Sequence, residues 1–382
     1  MRSFYEFFAG GGMARAGLGP GWTCLFANDF DLKKSAAYRR NWGARELRTA
    51  DIRLLTTAQL PHERANLAWA SFPCQDLSLA GAGAGLNGAR SGAFHPFWAL
   101  MNALIAESRG PDVIALENVT GALTSHGGRD FAAICSRFHE AGYAYGALVV
   151  DAALFLPQSR PRLFVVGARK SLRIPRKLRA NAPSPLWHPR ALQEAFDTLP
   201  EGVKDSWIWW RMAAPALRNI GLAELIEDEP SSVAWRTEEE TRRLLALMSE
   251  VNLAKVESAK STGQRMVGCI YRRTRYDESG AKIQRAEVRF DDMSGCLRTP
   301  AGGSSRQLLL IVEGESVKSR LISARETAWL MGLPDHYELP KNYNEAYHLT
   351  GDGVAVPVVR HIAEQILEPL LAQLGSAAQA AA

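Results

Sequence analysis

Ser3-Phe4-Tyr5-Glu6-Phe7-Phe8-Ala9-Gly10-Gly11-Gly12 is the stretch on which the fold turns. A strand-like apolar run over Ser3–Phe8 ends in three consecutive glycines, and a helical stretch with Gly17 in it follows. Glycine carries no Cβ, so such a turn lets the backbone come close to a bound nucleotide-like ligand. The strict dinucleotide pattern asks for another glycine three residues after Gly12, where this chain has Arg15; a purely structural tight turn is the competing reading. Outward from this turn the rhythm repeats. Thr23–Asn28, Asn66–Phe72, Asp112–Leu116, Ala147–Val150 and Leu163–Gly167 are short apolar runs, and the helix-permissive Leu32–Arg40 lies between the first two. Strands covered by helices on both faces lose their polar alternation. The pattern therefore predicts an α/β class, a doubly wound mixed or parallel Rossmann-like sheet.

The chain has 382 residues, enough for two domains at roughly 100–200 residues each. With 47% apolar and 22% charged residues the composition is that of a packed globular protein, not a disordered one. The net charge of +5 permits a polyanionic partner without demanding one. No apolar run is long enough for a membrane span, and a secretion signal pattern is missing at the N-terminus. Cys24, Cys74, Cys135, Cys269 and Cys296 are odd in number, scattered and without a CxxC, which argues against a disulfide framework or a zinc site. The eight histidines show no metal-like pairing. These features predict a soluble, intracellular protein with reduced thiols, no membrane association and no metal.

Near residue 170 the composition changes. Lys170–Arg190 clusters basic residues with Pro175, Pro183, Pro185 and Pro189, and the strand–helix rhythm stops until about residue 319. Glu238–Val251 reads as one amphipathic helix capped by Thr237. Residues 265–311 read as short strands and turns, and between Arg265 and Arg306 nine bases face five acids. Trp187, Trp207, Trp209 and Trp210 read as the core of a smaller domain. A final helix is expected over Val354–Leu374 with Pro357 in its first turn, and a frayed tail over Gly375–Ala382. The expected division is a large domain of residues 1–175 plus 345–382 and a small, irregular one of residues 176–344.

Several side chains in this frame have chemistry to offer. Asp29 closes the second strand, where a carboxylate can hold two ribose hydroxyls; Phe30 beside it suits an adenine face, and Asp51-Ile52 suits an adenine amino group and ring. Ser71-Phe72-Pro73-Cys74-Gln75 puts a cysteine on the loop after a central strand, where ligands bind in open α/β sheets. Cys74 reads equally as a small buried hydrophobe. The Gly-, Ala- and Ser-rich Leu77–Gly92 that follows suits a mobile lid better than a core. Attack on carbon needs thiolate character, which an unperturbed pKa of about 8.5 supplies only sparingly. Glu117, at the end of the next apolar run, either caps a helix or, protonated, hydrogen-bonds a ring nitrogen and activates the ring toward addition. Arg160 and Arg162, two apart, point the same way on an extended chain; they suit a carbonyl oxygen or a phosphate, or form a surface salt-bridge pair.

This ordered set resembles the DNA (cytosine-5)-methyltransferase family of the bacterial restriction-modification type. Phe8–Gly12 is similar to its cofactor glycine loop, Pro73-Cys74-Gln75 to its nucleophile motif, Glu117-Asn118-Val119 to its base-binding motif and Gln158–Arg162 to its glutamine–arginine–arginine signature. Arg320–Pro334 resembles the motif that supports the target-recognition region, and Thr350–Val354 the last motif, which returns to the cofactor. The match spans residues 3–170 and about 319–370. The resemblance implies an S-adenosylmethionine-dependent methyltransferase domain with a smaller target-recognition domain. It implies the cofactor on Phe8, Ala9, Gly10, Gly12, Asp29, Phe30, Asp51, Ile52, Pro73, Asp352 and Gly353. It implies that the cytosine would be flipped from double-stranded DNA at a cost of about a few kcal/mol. By the same resemblance Cys74 would attack C6, Glu117 would contact N3 and the exocyclic amine, Arg162 would hold O2 and Arg160 would help orient the nucleophile loop. Gln75, Ser78, Arg272, Arg273, Arg275, Arg298 and Arg306 are assigned to DNA. Two positions depart from the family: Asp29 where Glu is usual, and Asp352 where Asn is usual. The expected protein is a monomer in a bacterial cytoplasm, on the nucleoid through its DNA, with a cognate restriction endonuclease as possible partner. A transfer RNA methylase of the same family and a catalytically silent DNA-binding relative are the alternatives.

Overall fold

The computed structural model describes residues 2–73, 91–276, 279–297 and 306–372. The chain divides into two compact units: one of residues 1–151, 161–216 and 354–382, the other of residues 152–160 and 217–353.

The first unit is built on a seven-stranded sheet. In chain order its strands are β1 (Arg2–Phe7), β2 (Trp22–Asp29), β3 (Leu47–Thr49), β4 (Leu67–Ala70), β5 (Val113–Val119), β6 (Tyr143–Asp151) and β7 (Pro161–Arg169), lying side by side as β3-β2-β1-β4-β5-β7-β6. β1 through β5 pair parallel. β7 is antiparallel to both of its neighbours, so the sheet is mixed. The short link 152–160 between β6 and β7 explains this, because a parallel return needs a crossover of a dozen or more residues. Helices α1 (Met13–Leu18), α2 (Leu32–Trp42), α3 (Phe94–Ala106) and α4 (Arg129–Glu140) join the strands. Tyr5, Phe7, Phe97, Trp98, Ile114, Phe131 and Phe138 form a continuous buried core between sheet and helices. β1 runs outward through β2 to β3, and the chain then returns to place β4 on the other flank of β1. That reversal makes the carboxyl ends of β1 and β4 the switch point, where open α/β sheets bind ligands.

Residues 176–216 belong to this unit, not to the smaller one. Backbone bonds Tyr145 N→Ser206 O (2.8 Å) and Ile208 N→Tyr145 O (2.6 Å) lay the segment along β6, and the Trp210 indole donates to Val166 O at 3.1 Å. The four tryptophans expected in the small domain therefore cover the large sheet. The segment also carries a minor strand pair, β8 (Arg179–Ala180) with β9 (Trp209–Trp210). Val356–Ile362, carrying Pro357 in its first turn, packs against α1 and continues as a π-helical turn, Ala363–Leu367.

The second unit holds an antiparallel sheet of β10 (Met266–Tyr276), β11 (Lys282–Arg289), β12 (Leu308–Glu313) and β13 (Ser316–Leu321) in the order β11-β10-β12-β13. The single helix expected over 238–251 is two, Glu238–Leu245 and Glu250–Ser261, because Ser249 starts a new N-terminus. Leu244, Met248 and Val256 from this helical region pack on Ile270, Ala286, Val288, Leu308 and Leu310. Arg320 and Glu326, both fully buried, form a bidentate pair (2.5 and 2.8 Å), and Ser323 N donates to the same carboxylate at 2.6 Å.

Candidate active site

The glycine loop leaves β1 through Phe8, whose φ of 56° is costly for a residue with a Cβ. Ala9 N donates to Asn28 O (2.9 Å) and Gly12 N to Ala9 O (2.7 Å), closing a tight turn. Gly10 N donates to Asp29 Oδ2 at 2.8 Å, and the other Asp29 oxygen accepts from Asp31 N at 2.8 Å. The shorter acid at this position thus ties the end of β2 to the loop, and burial raises its pKa. Each carboxylate oxygen keeps a second lone pair for a hydroxyl donor. Both Gly10 and Gly12 have positive φ, but their surroundings differ: a Cβ on Gly10 would meet nothing within 4 Å, whereas one on Gly12 would lie 2.3 Å from Trp42 Nε1.

Asn28 brings the third acid into this neighbourhood. Its amide donates to Arg48 O (3.0 Å) and Ala50 O (2.9 Å), and Ala50 N donates to Asp29 O at 3.1 Å. The Asp51–Ile52 turn is thereby held beside the end of β2. Phe30 is 65% exposed and Ile52 is buried, so one ring lies open to a ligand and one aliphatic side chain floors the turn. The Asp51 carboxylate is engaged by Arg53, with Nη2 at 2.8 Å, and this pairing holds its pKa below the usual value.

One strand further along, Glu117 and Asn118 end β5. Glu117 is buried, and Arg162, opposite Val119 on β7, brings its Nε to 3.3 Å from Glu117 Oε1. The antiparallel direction of β7 is what delivers Arg162 to the carboxyl end of β5. Asn118 Nδ2 donates to Phe72 O at 3.0 Å. Ser71 N reaches Phe7 O at 3.4 Å, and Phe72 packs its ring on Phe94, centroids 5.4 Å apart. The Ser71–Phe72 segment is therefore fixed between β1 and β5. Cys74, Gln75, Ser78 and Arg298 lie outside the described residues, as does the expected lid apart from Ser91 and Gly92.

The remaining expected residues belong to the second unit. The buried Arg160 donates to Leu297 O (3.2 Å), Gly351 O (2.8 Å) and Gly353 O (2.7 Å) and touches Cys296 Sγ at 3.3 Å. Gln158, fully buried, donates to Leu330 O at 2.5 Å and accepts from Leu297 N at 3.3 Å. Asp352 is exposed at the end of helix Tyr343–Asp352. Arg272 lies on the opposite face of β10 from Arg273 and Arg275, and the latter two pair with Glu287 at 3.0 and 2.5 Å. The Arg306 guanidinium lies 5.9 Å from the Tyr343 ring centre.

Reading by motif passed over Asn28, Asn118 and Trp42 as working residues. Each acts by a side-chain bond to a backbone carbonyl distant in sequence, and only the Asn after Glu117 carries a signal, as part of its motif.

The family profile described as C-5 cytosine-specific DNA methylase matches residues 2–368. Among curated proteins, Type II methyltransferase M.BsuFI of Bacillus subtilis is 26% identical over 97% of this chain and 73% of its own length. M.HpaII of Haemophilus parainfluenzae is 25% identical over 96% of this chain and 90% of its own. M.HhaI of Haemophilus parahaemolyticus is 25% identical over 95% and 93%. Among solved structures, S. pombe Dnmt2 methyltransferase aligns over 98% of this chain and 99% of its own with a TM-score of 0.58 at 18% identity. A putative DNA modification methyltransferase encoded within a prophage of E. coli aligns over 98% and 100% with a TM-score of 0.59 at 15% identity. Those two likenesses carry the fold. The profile, spanning nearly the whole chain, carries the identity: this protein belongs to the C-5 cytosine-specific DNA methylase family.

Proposed function

We propose that the protein methylates C5 of a cytosine flipped out of a short double-stranded DNA sequence, with S-adenosylmethionine as donor and Cys74 as a transient nucleophile. The observation that carries this reading is the Glu117–Arg162 pair at the end of β5, beside a Phe72–Pro73 segment that Asn118 anchors. An acid and a guanidinium at 3.3 Å, both largely buried, suit the N3, exocyclic amine and O2 edge of one cytosine.

The residues of the glycine-loop region fit the cofactor. Gly10 leaves open space, Asp29 offers oxygens to ribose hydroxyls, Phe30 presents an exposed ring and Ile52 a buried aliphatic floor. When bound, S-adenosylmethionine supplies an electrophilic methyl on a sulfonium. The Cys74 thiolate forms a bond to C6, making C5 nucleophilic while Glu117 and Arg162 hold the ring edge. C5 would take the methyl as its bond to the sulfonium sulfur breaks, leaving a neutral thioether; the C5 proton then passes to water as the S–C6 bond breaks, which restores the thiolate and the aromatic ring. Alignment and exclusion of water are the protein's main contributions.

The test is covalent trapping on duplex DNA carrying 5-fluorocytosine. The protein should form an adduct that needs the cofactor, and Cys74→Ser should form none while keeping cofactor affinity within about threefold, a difference below 1 kcal/mol. Adduct formation on transfer RNA but not on duplex DNA would overturn the DNA reading. The Type II naming of the relatives supports a partnership with a cognate endonuclease. Resistance of the methylated DNA to that nuclease is the corresponding assay.

A further inference from the structure

Arg15 stands where a dinucleotide-binding loop would have glycine, and its surroundings give it a different use. Its Nη1 donates to Tyr38 OH at 3.0 Å and lies 3.6 Å from Glu46 Oε2. Its guanidinium lies 5.0 Å from the centre of the Trp42 ring. Trp42, the last residue of α2, donates its indole N–H to Gly11 O at 3.0 Å. The same indole fills the space that a Cβ at Gly12 would need, with Tyr38 Cε2 3.0 Å from that position. The glycine loop is thus pinned on two sides. Asp29 takes the Gly10 N–H, Trp42 takes hold of the Gly11 carbonyl, and the open space is at Gly10.

We infer that Trp42, braced by Arg15 and Tyr38, is a positioning residue that sets the glycine loop in its cofactor-binding conformation through the indole–Gly11 bond. The inference rests on the reading that this loop holds S-adenosylmethionine. A loop of glycines has many conformations to lose on binding; a rear anchor removes much of that loss beforehand. A cation over the indole face fixes the ring's orientation without touching the ligand side. Gly12 is therefore required by Trp42 as much as by the turn, whereas Gly10 is favoured by its positive φ and has open space beside it.

The experiment compares wild type with Trp42→Phe, which keeps an aromatic ring and loses the N–H, and with Arg15→Met, which keeps the ring and its N–H and loses the stacked cation. S-adenosylmethionine affinity is read by calorimetry, kcat and KM by methylation of duplex DNA, and loop order by amide exchange at Gly10 and Gly12 without cofactor. Trp42→Phe should weaken the cofactor about three- to tenfold, the worth of one hydrogen bond, and raise its KM alike. The kcat at saturating cofactor and the affinity for DNA should change less than about twofold. Exchange at Gly10 and Gly12 should quicken. Arg15→Met should shift the same quantities in the same direction by less. Unchanged cofactor affinity in Trp42→Phe, with wild type binding normally, overturns the inference alone. Parallel loss of cofactor and DNA affinity with lowered thermal stability also overturns it, since the residue is then merely structural. Failure of wild type to bind S-adenosylmethionine overturns the functional reading, and the inference with it.

Discussion

Beneath the glycine loop lies a carboxylate sealed inside the first unit. Glu6 Oε1 accepts from Arg15 N at 3.2 Å, Oε2 is buried with no hydrogen-bond partner among the described residues, and burial pushes the acid up to about 8. Between 4.5 and about 8 the folded protein keeps a proton that the unfolded chain has released. Stability therefore falls as pH rises through that window and levels off above it. Glu6→Gln mimics the protonated form and should remove this slope. Melting temperatures of the two proteins should agree near the bottom of that window and diverge in favour of the variant toward pH 8; parallel curves would mean that Glu6 is solvated or paired. A second single-residue test concerns Asn118. Asn118→Ala strands the buried Phe72 carbonyl and should cost about 1–3 kcal/mol in urea unfolding. Its turnover should fall more than its stability suggests, because the freed segment leads directly to Cys74.

At the scale of elements, β10 and β11 decide which arginines can act together. Alternation puts Tyr271, Arg273 and Arg275 on one face and Arg272 and Thr274 on the other, so Arg272, Arg273 and Arg275 are not one patch. Arg273 and Arg275 share Glu287, an exposed pairing of small net worth that a phosphate can replace. Glu287→Gln should raise DNA affinity at low salt, whereas Arg273→Ala or Arg275→Ala should lower the salt slope by about one for each phosphate no longer neutralised. A slope insensitive to all three variants would remove this face from the DNA interface. The sequence showed the basic surplus of this region but not its two faces, since the strand register was hidden in a run read as short strands. The buried strands β1, β2, β4 and β5 were legible because helices on both faces leave continuous apolar runs. β3 was not: it is a three-residue edge strand, Leu47–Thr49, with an arginine at its centre. The helix read over 238–251 ran past the break after Leu245 because Thr237 is a strong cap, while Ser249-Glu250 looks like ordinary helix surface.

At the scale of the whole molecule, the family was legible and the partition of the chain was not. Composition shifts at residue 170, yet the chain leaves the first unit at 152, returns at 161 and stays until 216. Nothing in the spacing of Trp187, Trp207, Trp209 and Trp210 says which sheet they cover, because aromatic burial carries no address. The same partition separates two arginines that look equivalent in Gln158-Ser159-Arg160-Pro161-Arg162. Arg160 belongs to the second unit, where its guanidinium spans carbonyls of Leu297, Gly351 and Gly353; Arg162 begins β7 of the first and faces Glu117. A lysine retains charge, but its three donors radiate from one atom and do not reproduce the two separate nitrogens with which Arg160 reaches Leu297 O on one side and Gly351 O and Gly353 O on the other. Arg160→Lys should therefore lose about 2 kcal/mol or more of stability through unpaired buried carbonyls. Arg162→Lys keeps a cation beside Glu117 and should lose about 1 kcal/mol or less, while single-turnover methylation slows roughly 10–100-fold for want of a planar donor at the cytosine edge. Denaturant midpoints and single-turnover rates measured on both variants separate the roles. If Arg162→Lys proves the less stable and Arg160→Lys the slower at full stability, the division of labour between the two arginines is the reverse of the one derived from their partners.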